Sequence, residues 1–355
     1  MELVARLGLD VPIIQAPMAG TSTPDLAIAV CNAGGLGSVA VGGAGAADVR
    51  AMIAAVRAGT SRPFNVNLFV HRTPVAAASR ESAWIETLRP VFAQFGAAPP
   101  PALQAPYRSL ADNPEMLAML VERAPPVVSF HFGLPSADAI AALRGCGSLL
   151  LATATNVEEA RAIAAAGLDA IVAQGIEAGG HRGMFDPAAS DPQLGVMPLV
   201  RLLVREGGLP VIAAGGIMDG AGVAAALDLG AAAAQMGTAF IACPESAADA
   251  AYRAALTGPS AHRTTMTSII SGRPARALAN RFTALSAQLD ERQVPDYPIA
   301  YHAGKALNAA ASARGEHGFG AQWAGQGAPL ARAMPAAELI ATLKAELAAA
   351  RPPAA

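Results

Sequence analysis

The residues best suited to chemistry lie in one glycine-rich segment, Gln174-Gly-Ile-Glu-Ala-Gly-Gly-His-Arg-Gly183, which follows a short apolar run. Four glycines in nine residues indicate a backbone that passes close to another group. His181 lies on that backbone, and histidine is the usual general acid or base near neutral pH. We therefore expect His181 to be catalytic, and a merely irregular turn is the alternative.

Two other segments place small or amide residues at strand ends. The sequence Gln-Ala-Pro-Met-Ala-Gly puts Pro17, Met18 and Ala19 after the first apolar run, where a backbone can approach a flat ligand. Asn65 and Asn67 share one face of a later strand, because side chains alternate along a strand. An inward amide can donate to and accept from a heteroaromatic ring edge, whereas a buried, satisfied asparagine is the alternative.

Glycines also end two successive strands near the middle of the chain. Gly215 and Gly216 follow one strand, and Gln235-Met-Gly-Thr238 follows the next, each before a helical pattern. Amides at helix starts point at oxyanions, and glycine removes the side chain that would block them. The pair predicts a cofactor that carries a phosphate, and a generic glycine turn is the alternative for either one alone. Gly42-Gly-Ala-Gly45 lacks the spacing and the acidic partner of a dinucleotide fold, which favours a mononucleotide.

Further polar side chains are candidates for a substrate pocket. His131 closes a strand in Ser-Phe-His-Phe-Gly and either lines the barrel mouth or belongs to the core. Tyr297, Tyr301 and Lys305 are spaced four residues apart, so they share one face if the segment is helical. Lys305 would then attract an anion, and a solvated helix face with a half-buried tyrosine pair is the alternative.

The elements that position these residues alternate between strand and helix, which is typical of βαβ units and a parallel sheet. We predict helices over residues 24–33, 47–58, 156–166 and 220–229, with Asp48 and Asn156 as caps. Nearly continuous apolar runs fit strands buried on both faces, and this favours a TIM-type (β/α)8 barrel over an open doubly wound sheet. The eight predicted strands are 12–15, 37–41, 64–69, 127–131, 148–152, 170–174, 210–214 and 232–236.

Two stretches lie outside the repeating unit and are expected to be functional because of their length. We predict that 71–126 is an insertion after strand 3 that covers the barrel mouth. Residues 258–335 are expected to form an extended C-terminal segment that caps the substrate. The cofactor-binding barrel itself would then comprise 1–70 and 127–257, and 336–355 would be a closing C-terminal helix.

Composition limits the classes of partner. The net charge is −2, from 25 basic and 27 acidic residues, so no cationic excess suits nucleic acid or an anionic membrane. Three cysteines lie about a hundred residues apart without the spacing of a metal site, which fits a reducing cytoplasm. The longest apolar run, 221–243, is interrupted by Asp228, Gln235 and three glycines, so we expect a helix and a buried strand there rather than a membrane span. Residues 1–10 lack the apolar stretch of a secretory signal.

Taken together, these segments resemble the nitronate monooxygenases, formerly called 2-nitropropane dioxygenases, in their class I bacterial form. The similarity runs from residues 12–20 to residues 323–327 and so covers most of the chain. It is specific because Ser129-Phe-His-Phe-Gly133, the segment 173–183 and Gln235-Met-Gly-Thr238 occur in order and with the expected gaps.

The resemblance implies non-covalent FMN and oxidative denitrification of alkyl nitronates, notably propionate 3-nitronate, by O2 without NAD(P)H. The products would be a carbonyl compound and nitrite or nitrate. The family's catalytic histidine matches His181, and its substrate-binding residues match Tyr107, His131, Tyr297, Tyr301 and Lys305. Its flavin-binding pattern falls on Asn67, Gln174, Gly179, Gly216, Gln235, Met236, Gly237 and Thr238, to which position alone adds Pro17, Met18, Ala19, Gly180 and Gly215.

Two rival hypotheses stay open at the level of sequence. NAD(P)H-dependent flavin reductases of the enoyl-acyl-carrier-protein or quinone type share the fold and much of the loop around His181. A non-catalytic flavin-binding protein is the other, although mere binding would not require a titratable histidine on the cofactor loop. We expect a monomer or homodimer whose partners are a small anionic nitronate and O2.

Overall fold

The computed structural model describes residues 2–206 and 208–351, so the predicted ranges 1–70, 127–257 and 336–355 each include positions outside the described residues. The described chain forms eleven strands: β1 (Ile13–Gln15), β2 (Gly37–Ala40), β3 (Phe64–Phe69), β4 (Val127–His131), β5 (Leu149–Ala154), β6 (Ala170–Gln174), β7 (Gly180–His181), β8 (Val211–Ala214), β9 (Ala233–Met236), β10 (Thr264–Thr267) and β11 (Ala275–Leu278). Its α-helices are α1 (Glu2–Arg6), α2 (Pro24–Asn32), α3 (Ala46–Gly59), α4 (Ala78–Ala93), α5 (Pro114–Arg123), α6 (Ala137–Gly145), α7 (Val157–Ala165), α8 (Val196–Glu206), α9 (Gly220–Asp228), α10 (Thr238–Ile241), α11 (Ala250–Thr257), α12 (Arg281–Ala284), α13 (Ile299–Ser312) and α14 (Ala336–Ala350).

Eight parallel strands form the barrel that the sequence predicts. Their order is β1-β9-β8-β6-β5-β4-β3-β2, and a parallel bridge between Ile14 and Leu36 joins the two ends. Strands β6 and β8 are buried along their whole length, which explains their nearly continuous apolar sequences. The (β/α)8 fold is confirmed, and the alternative of an open doubly wound sheet is wrong.

The helix boundaries follow the predicted ones to within one residue, but only one of the two predicted caps is correct. Asn156 accepts a hydrogen bond from the amide of Glu159 and caps α7. Asp48 is not a cap, because α3 begins at Ala46 and has Gly45 as its N-cap. Asp48 lies in the first turn instead, where its charge is favourable to the helix dipole.

The two stretches outside the repeat share a second hydrophobic core. Trp84, Leu88 and Phe92 of α4 pack in one cluster with Phe282 and with residues of α13. We call the part built by α4 and residues 258–335 the cap. The later part of the predicted insertion, α5, packs instead in the barrel core and joins β3 to β4 as a barrel helix. The division into separate segments stays a prediction.

The C-terminal helix α14 lies against the outside of the barrel. Leu339, Ile340 and Leu343 of α14 belong to the barrel core cluster, and the helix contacts α2 and α9. The apolar run 221–243 divides into α9, β9 and α10. Within residues 2–206 and 208–351, none of the helices combines the length and the apolar character that crossing a membrane requires.

Candidate active site

One cavity lies at the carboxyl ends of the barrel strands and brings most of the predicted site residues together. Its volume is about 1290 Å³, including the part of its mouth that is open to solvent. His181, Tyr107, His131 and Tyr301 line it, and so do all thirteen predicted cofactor-binding residues: Pro17, Met18, Ala19, Asn67, Gln174, Gly179, Gly180, Gly215, Gly216, Gln235, Met236, Gly237 and Thr238. None of the described residues that line this cavity is an Asp, Glu, Lys or Arg.

The loop between β6 and β7 is folded around the buried guanidinium of Arg182. Arg182 Nη1 donates to the carbonyl oxygens of Gln174 and Gly175 at 2.9 and 3.2 Å. Its Nε and Nη2 donate to the carboxylate of Asp191 at 2.8 and 3.0 Å. This polar centre explains how a segment with four glycines keeps a defined shape beside a cavity.

Gln174 braces the same loop through its side-chain amide. Its Nε2 donates to His181 O at 3.0 Å, and its Oε1 accepts from the amide of Gly183 at 2.8 Å. Both ends of the amide are therefore used within the loop. A direct hydrogen bond from Gln174 to a cofactor stays a prediction.

His181 is positioned by a strand of the cap. It pairs in β7 opposite Ala275 of β11, and Trp323 forms a bridge with Ala277 two residues further along the same strand. The rings of His181 and Trp323 consequently lie side by side, with centroids 5.0 Å apart. Gly179 must stay small because a Cβ there would lie 2.5 Å from the backbone nitrogen of Gly325.

The hydrogen bonds of His181 define its tautomer. The Ser271 hydroxyl donates its single proton to the Arg273 carbonyl oxygen at 3.2 Å, so His181 Nε2, at 2.9 Å, donates to Ser271 Oγ. Nδ1 then carries the free lone pair. Burial, with smaller contributions from the charge of Arg273 and from His131, lowers the pKa of His181 to about 3. The imidazole is therefore neutral at physiological pH.

His131 is also neutral, and it contacts the backbone of His181, the predicted catalytic residue. Its Nε2 donates to His181 O at 3.2 Å, so Nδ1 accepts from Thr153 Oγ1 at 3.0 Å. Burial, together with the charge of Arg273, lowers the pKa of His131 to about 4. The sequence left a core role and a pocket role open, and His131 combines a place on the cavity wall with a bracing contact.

The two asparagines of β3 share a face, but only one of them lines the cavity. Asn67 Nδ2 donates to Ser129 Oγ at 2.9 Å, which leaves its side-chain oxygen as an acceptor at the cavity wall. Asn65 lies one pleat deeper, where its Nδ2 donates to Ser38 Oγ at 3.1 Å. Asn65 is therefore buried, but it is not the fully satisfied asparagine that the sequence offered as an alternative, because its Oδ1 has no hydrogen-bond partner among the described residues.

The glycines after β8 and β9 lie together at the cavity wall, but Gly215 and Gly216 do not lie at the start of a helix as the phosphate-site prediction expected. Helix α9 begins only at Gly220, and Asp219 Oδ1 accepts from the amide of Gly222, so its N-terminus already has an acidic cap. Gly215 and Gly216 belong to the loop that precedes Asp219, the N-cap residue of α9. After β9, Gly237 is the N-cap of the one-turn helix α10, without a side-chain hydrogen bond.

Tyr297, Tyr301 and Lys305 do not form the single helical face that the spacing suggested. Helix α13 begins at Ile299, so only Tyr301 and Lys305 lie on it. Tyr297 does not line the main cavity, and the centre of its buried ring lies 5.2 Å from that of the His181 ring. A direct substrate contact by Tyr297 stays a prediction.

Lys305 belongs to a second cavity that adjoins the first. The two cavities share the side chains of Tyr107, Tyr301 and Trp323 as a common wall. Lys305 Nζ lies 4.5 Å from the ring centre of Tyr107 and 5.1 Å from that of Tyr301, so its charge rests on the outer faces of these rings. The lysine is placed at an approach to the main cavity rather than within it.

Sequence reasoning missed several residues of the site. Trp323 and Tyr252 line the main cavity, and the Tyr252 hydroxyl donates to the Trp323 carbonyl oxygen. Trp323 stands just before Gly325 and Gly327, and an aromatic beside spaced glycines in a polar segment is a signal that could have identified it. Ser271 offers no such signal, because it meets His181 only through the pairing of β7 with β11.

Arg182 should be a major contributor to stability. Replacing it with methionine leaves the Asp191 carboxylate and the carbonyl oxygens of the loop without their donor. We expect the free energy of unfolding to fall by about 3–5 kcal/mol. Urea unfolding measures this, with Arg161→Met as the control, since the exposed Arg161–Glu206 pair should contribute less than about 1 kcal/mol. Equal losses in both variants would contradict the assigned role.

Comparison with known proteins gives consistent matches over the whole chain. A family model described as nitronate monooxygenase matches residues 2–346. A nitronate monooxygenase of Paraburkholderia phytofirmans is 60% identical over 345 residues, which are 97% of this chain and 94% of that protein. One of Pseudomonas aeruginosa is 58% identical over 341 residues, which are 96% and 97% of the two chains. The solved structure of nitroalkane oxidase from Streptomyces ansochromogenes superimposes with a TM-score of 0.89 at 42% identity, covering 99% of each chain.

Proposed function

Because the chain belongs to the nitronate monooxygenase family, we propose that it oxidises alkyl nitronates, such as propionate 3-nitronate, with O2. The products are a carbonyl compound and nitrite or nitrate, and no NAD(P)H is consumed. One observation carries the proposal: a single cavity at the barrel mouth, lined by uncharged residues, brings the neutral His181 and phenol donors together with the glycines that end the strands. Such a site accommodates a small anion beside a flat, phosphate-bearing cofactor.

We assign FMN as the cofactor, and the open space at Gly237 supports this assignment. Gly237 has a φ of −104°, which any residue can adopt. A Cβ there would meet only Ala16 and Met18, at the ordinary contact distances of 3.4 and 3.7 Å. No described part of the protein therefore requires glycine at this position. A bound phosphate that occupies this space would explain why the residue is a glycine.

Further residues would hold the phosphate and the ring of FMN. The loop amides of Gly215 and Gly216 line the cavity and are suited to the phosphate, together with Gly237 and Thr238. The side-chain oxygen of Asn67 can accept a hydrogen bond from a ring edge. The remaining predicted contacts, Pro17, Met18, Ala19, Gln174, Gly179, Gly180, Gln235 and Met236, complete the walls.

The chain's own residues bind and orient the substrate. When bound, FMN would supply the electron-transfer chemistry between the nitronate and O2. A nitronate is already an anion, so the cavity mainly has to provide hydrogen-bond donors. Burial raises the pKa of the phenols of Tyr107 and Tyr301, so both remain protonated and can donate to nitronate oxygens. The aromatic walls exclude water, and Lys305 attracts the anion at the outer cavity.

The properties of His181 favour preformed nitronates over neutral nitroalkanes. A general base works best when its pKa lies near the working pH, whereas the pKa of His181 is held near 3. The imidazole can accept a hydrogen bond through Nδ1, but its low pKa makes protonation unfavourable at physiological pH. Removal of a proton from a neutral nitroalkane should therefore be slow.

Anaerobic mixing tests this function against the rival NAD(P)H-dependent flavin reductase. We expect the visible absorbance of the bound flavin to decrease rapidly with propionate 3-nitronate and not with NADH or NADPH. Rapid bleaching by NADH alone would support the reductase. Bleaching by none of these compounds would support a non-catalytic flavin-binding protein.

The purified protein should be yellow and should release intact FMN on heating. The reason is that the glycine-lined wall offers a phosphate site without a covalent link. Chromatography of the released flavin distinguishes FMN from riboflavin and FAD. A colourless protein that cannot be reconstituted with FMN would overturn the cofactor assignment.

We further propose a cytoplasmic enzyme that acts as a monomer or homodimer and needs neither nucleic acid nor a membrane as a partner. The balanced formal charge of −2 and the three free cysteines support this setting. Its partners are the small anionic nitronate and O2.

A further inference from the structure

A buried guanidinium lies behind the two histidines of the cavity. Arg273, which precedes β11, has only 2% of its surface exposed. Its Nε donates to Arg182 O at 3.4 Å, and its Nη2 donates to Met184 O. The centre of the guanidinium lies 4.1 Å from the centre of the Phe132 ring. The charge is thus surrounded by carbonyl oxygens and an aromatic face.

Arg273 has no carboxylate partner within 4.0 Å among residues 2–206 and 208–351. The acids that act on it from further away are Glu159 and Asp186. Glu159 is already engaged, because its carboxylate accepts from Thr155 and from the amide of Phe185. A buried cation without a carboxylate in direct contact is costly, so its presence behind the cavity calls for an explanation.

A single aromatic ring, that of Phe132, lies between the guanidinium of Arg273 and the two histidines of the cavity. The Phe132 ring lies 4.4 Å from the His131 ring and 5.8 Å from the His181 ring, centre to centre. The other titratable groups that face His181 are His131, Tyr297 and Tyr301, and none of the described cavity-lining residues is acidic. No acidic side chain of the described cavity wall therefore offsets the positive field of Arg273 where a substrate would bind.

We propose that Arg273 is the fixed positive charge by which the cavity selects the anionic nitronate over the neutral nitroalkane. The proposal rests on the proposed function, because it concerns the substrate of that cavity. Arg273 acts in two ways. It attracts the anion, and it opposes the transfer of a proton from the nitroalkane carbon to His181, because that transfer would create an imidazolium beside the guanidinium.

The substrate preference of Arg273→Met tests this selection. We expect the ratio of kcat/KM for ethylnitronate to kcat/KM for nitroethane to fall by about tenfold or more, and Arg273→Lys to keep most of the preference. Arg276→Met is the matched control, since Arg276 is buried in β11 and donates to Ile176 O and Thr264 Oγ1 but does not act on either histidine. An unchanged ratio in FMN-loaded Arg273→Met would overturn the proposal.

Two measurements that need no turnover separate this proposal from the proposed function. Inorganic nitrate is a planar anion, and its Kd can be followed through the absorbance of the bound flavin. We expect the Kd to rise about tenfold in Arg273→Met and to stay unchanged in Arg276→Met. An equal Kd in the parent and Arg273→Met contradicts the role of Arg273, even if no nitro compound is oxidised.

The titration of His181 completes the test, with Arg273→Gln as the second variant if Arg273→Met does not fold. The NMR signals of His181 in the parent should show no protonation above about pH 5, and the pKa should rise when the charge of Arg273 is removed. Because burial also lowers this pKa, the variant decides: an unchanged His181 pKa without the charge of Arg273 would overturn the proposal, as would titration of the parent near pH 6.5.

Discussion

Replacing Gly237 with aspartate should leave a folded protein that no longer retains FMN. The proposed phosphate site has room at Gly237 because a Cβ there meets other atoms only at 3.4 Å or more. A carboxylate in that space would stand beside the proposed phosphate position, and like charges about 4 Å apart repel by about 4 kcal/mol near a protein surface. We therefore expect FMN affinity to fall about a thousandfold, as measured by quenching of flavin fluorescence on titration.

Gly237→Ala is the matched control for this experiment. The backbone at Gly237 has a negative φ, so alanine should fold without strain and should keep most of the FMN affinity. Loss of FMN in both variants would indicate a steric effect rather than repulsion of the phosphate. Unchanged affinity in Gly237→Asp would show that the phosphate binds elsewhere.

Replacing His181 with asparagine should keep FMN but remove most of the turnover. Asparagine can still donate to Ser271, so the pairing of β7 with β11 should persist. The loss should be greater for neutral nitroalkanes, but by less than the factor of about a hundredfold to ten-thousandfold that general-base catalysis is typically worth, because the low pKa of His181 already makes it a weak base. Preformed nitronates lose only positioning and hydrogen bonding, which Tyr107 and Tyr301 partly supply.

The matched control for His181→Asn is His262→Asn, which changes an exposed histidine outside both cavities. Steady-state rates with propionate 3-nitronate and with a nitroalkane give the comparison. If the parent oxidises no nitroalkane, the nitronate rates alone decide. Parent-like activity of His181→Asn on propionate 3-nitronate would remove His181 from the mechanism, and the role would then pass to His131.

The barrel was predictable because strands such as β6 and β8 have nearly continuous apolar sequences between turn residues and alternate with helical patterns. The same reasoning identified the cavity wall, since strand ends in a parallel barrel meet at one face. Asn67, Gly216 and Gly237 therefore line the cavity together although they are far apart in sequence. The prediction of Asp48 as the N-cap of α3 was wrong, because an acidic residue is favourable both as an N-cap and in the first turn of a helix.

The support around His181 was not predictable from local patterns. Ser271 and Arg273 reach the histidine only because β11 of the cap pairs with the two-residue strand β7. Neither the short strand nor its partner has a repeating apolar pattern. The place of Tyr297 before α13 was also hidden, since a spacing of four residues does not reveal where a helix begins.

The measurement that tests the central claim most directly is O2 consumption by the FMN-loaded protein with propionate 3-nitronate and no NAD(P)H. The account predicts saturable O2 uptake with formation of nitrite or nitrate, and no dependence of the rate on added NADH. O2 uptake that occurs only with NADH, or none beyond the FMN-only control, would contradict it.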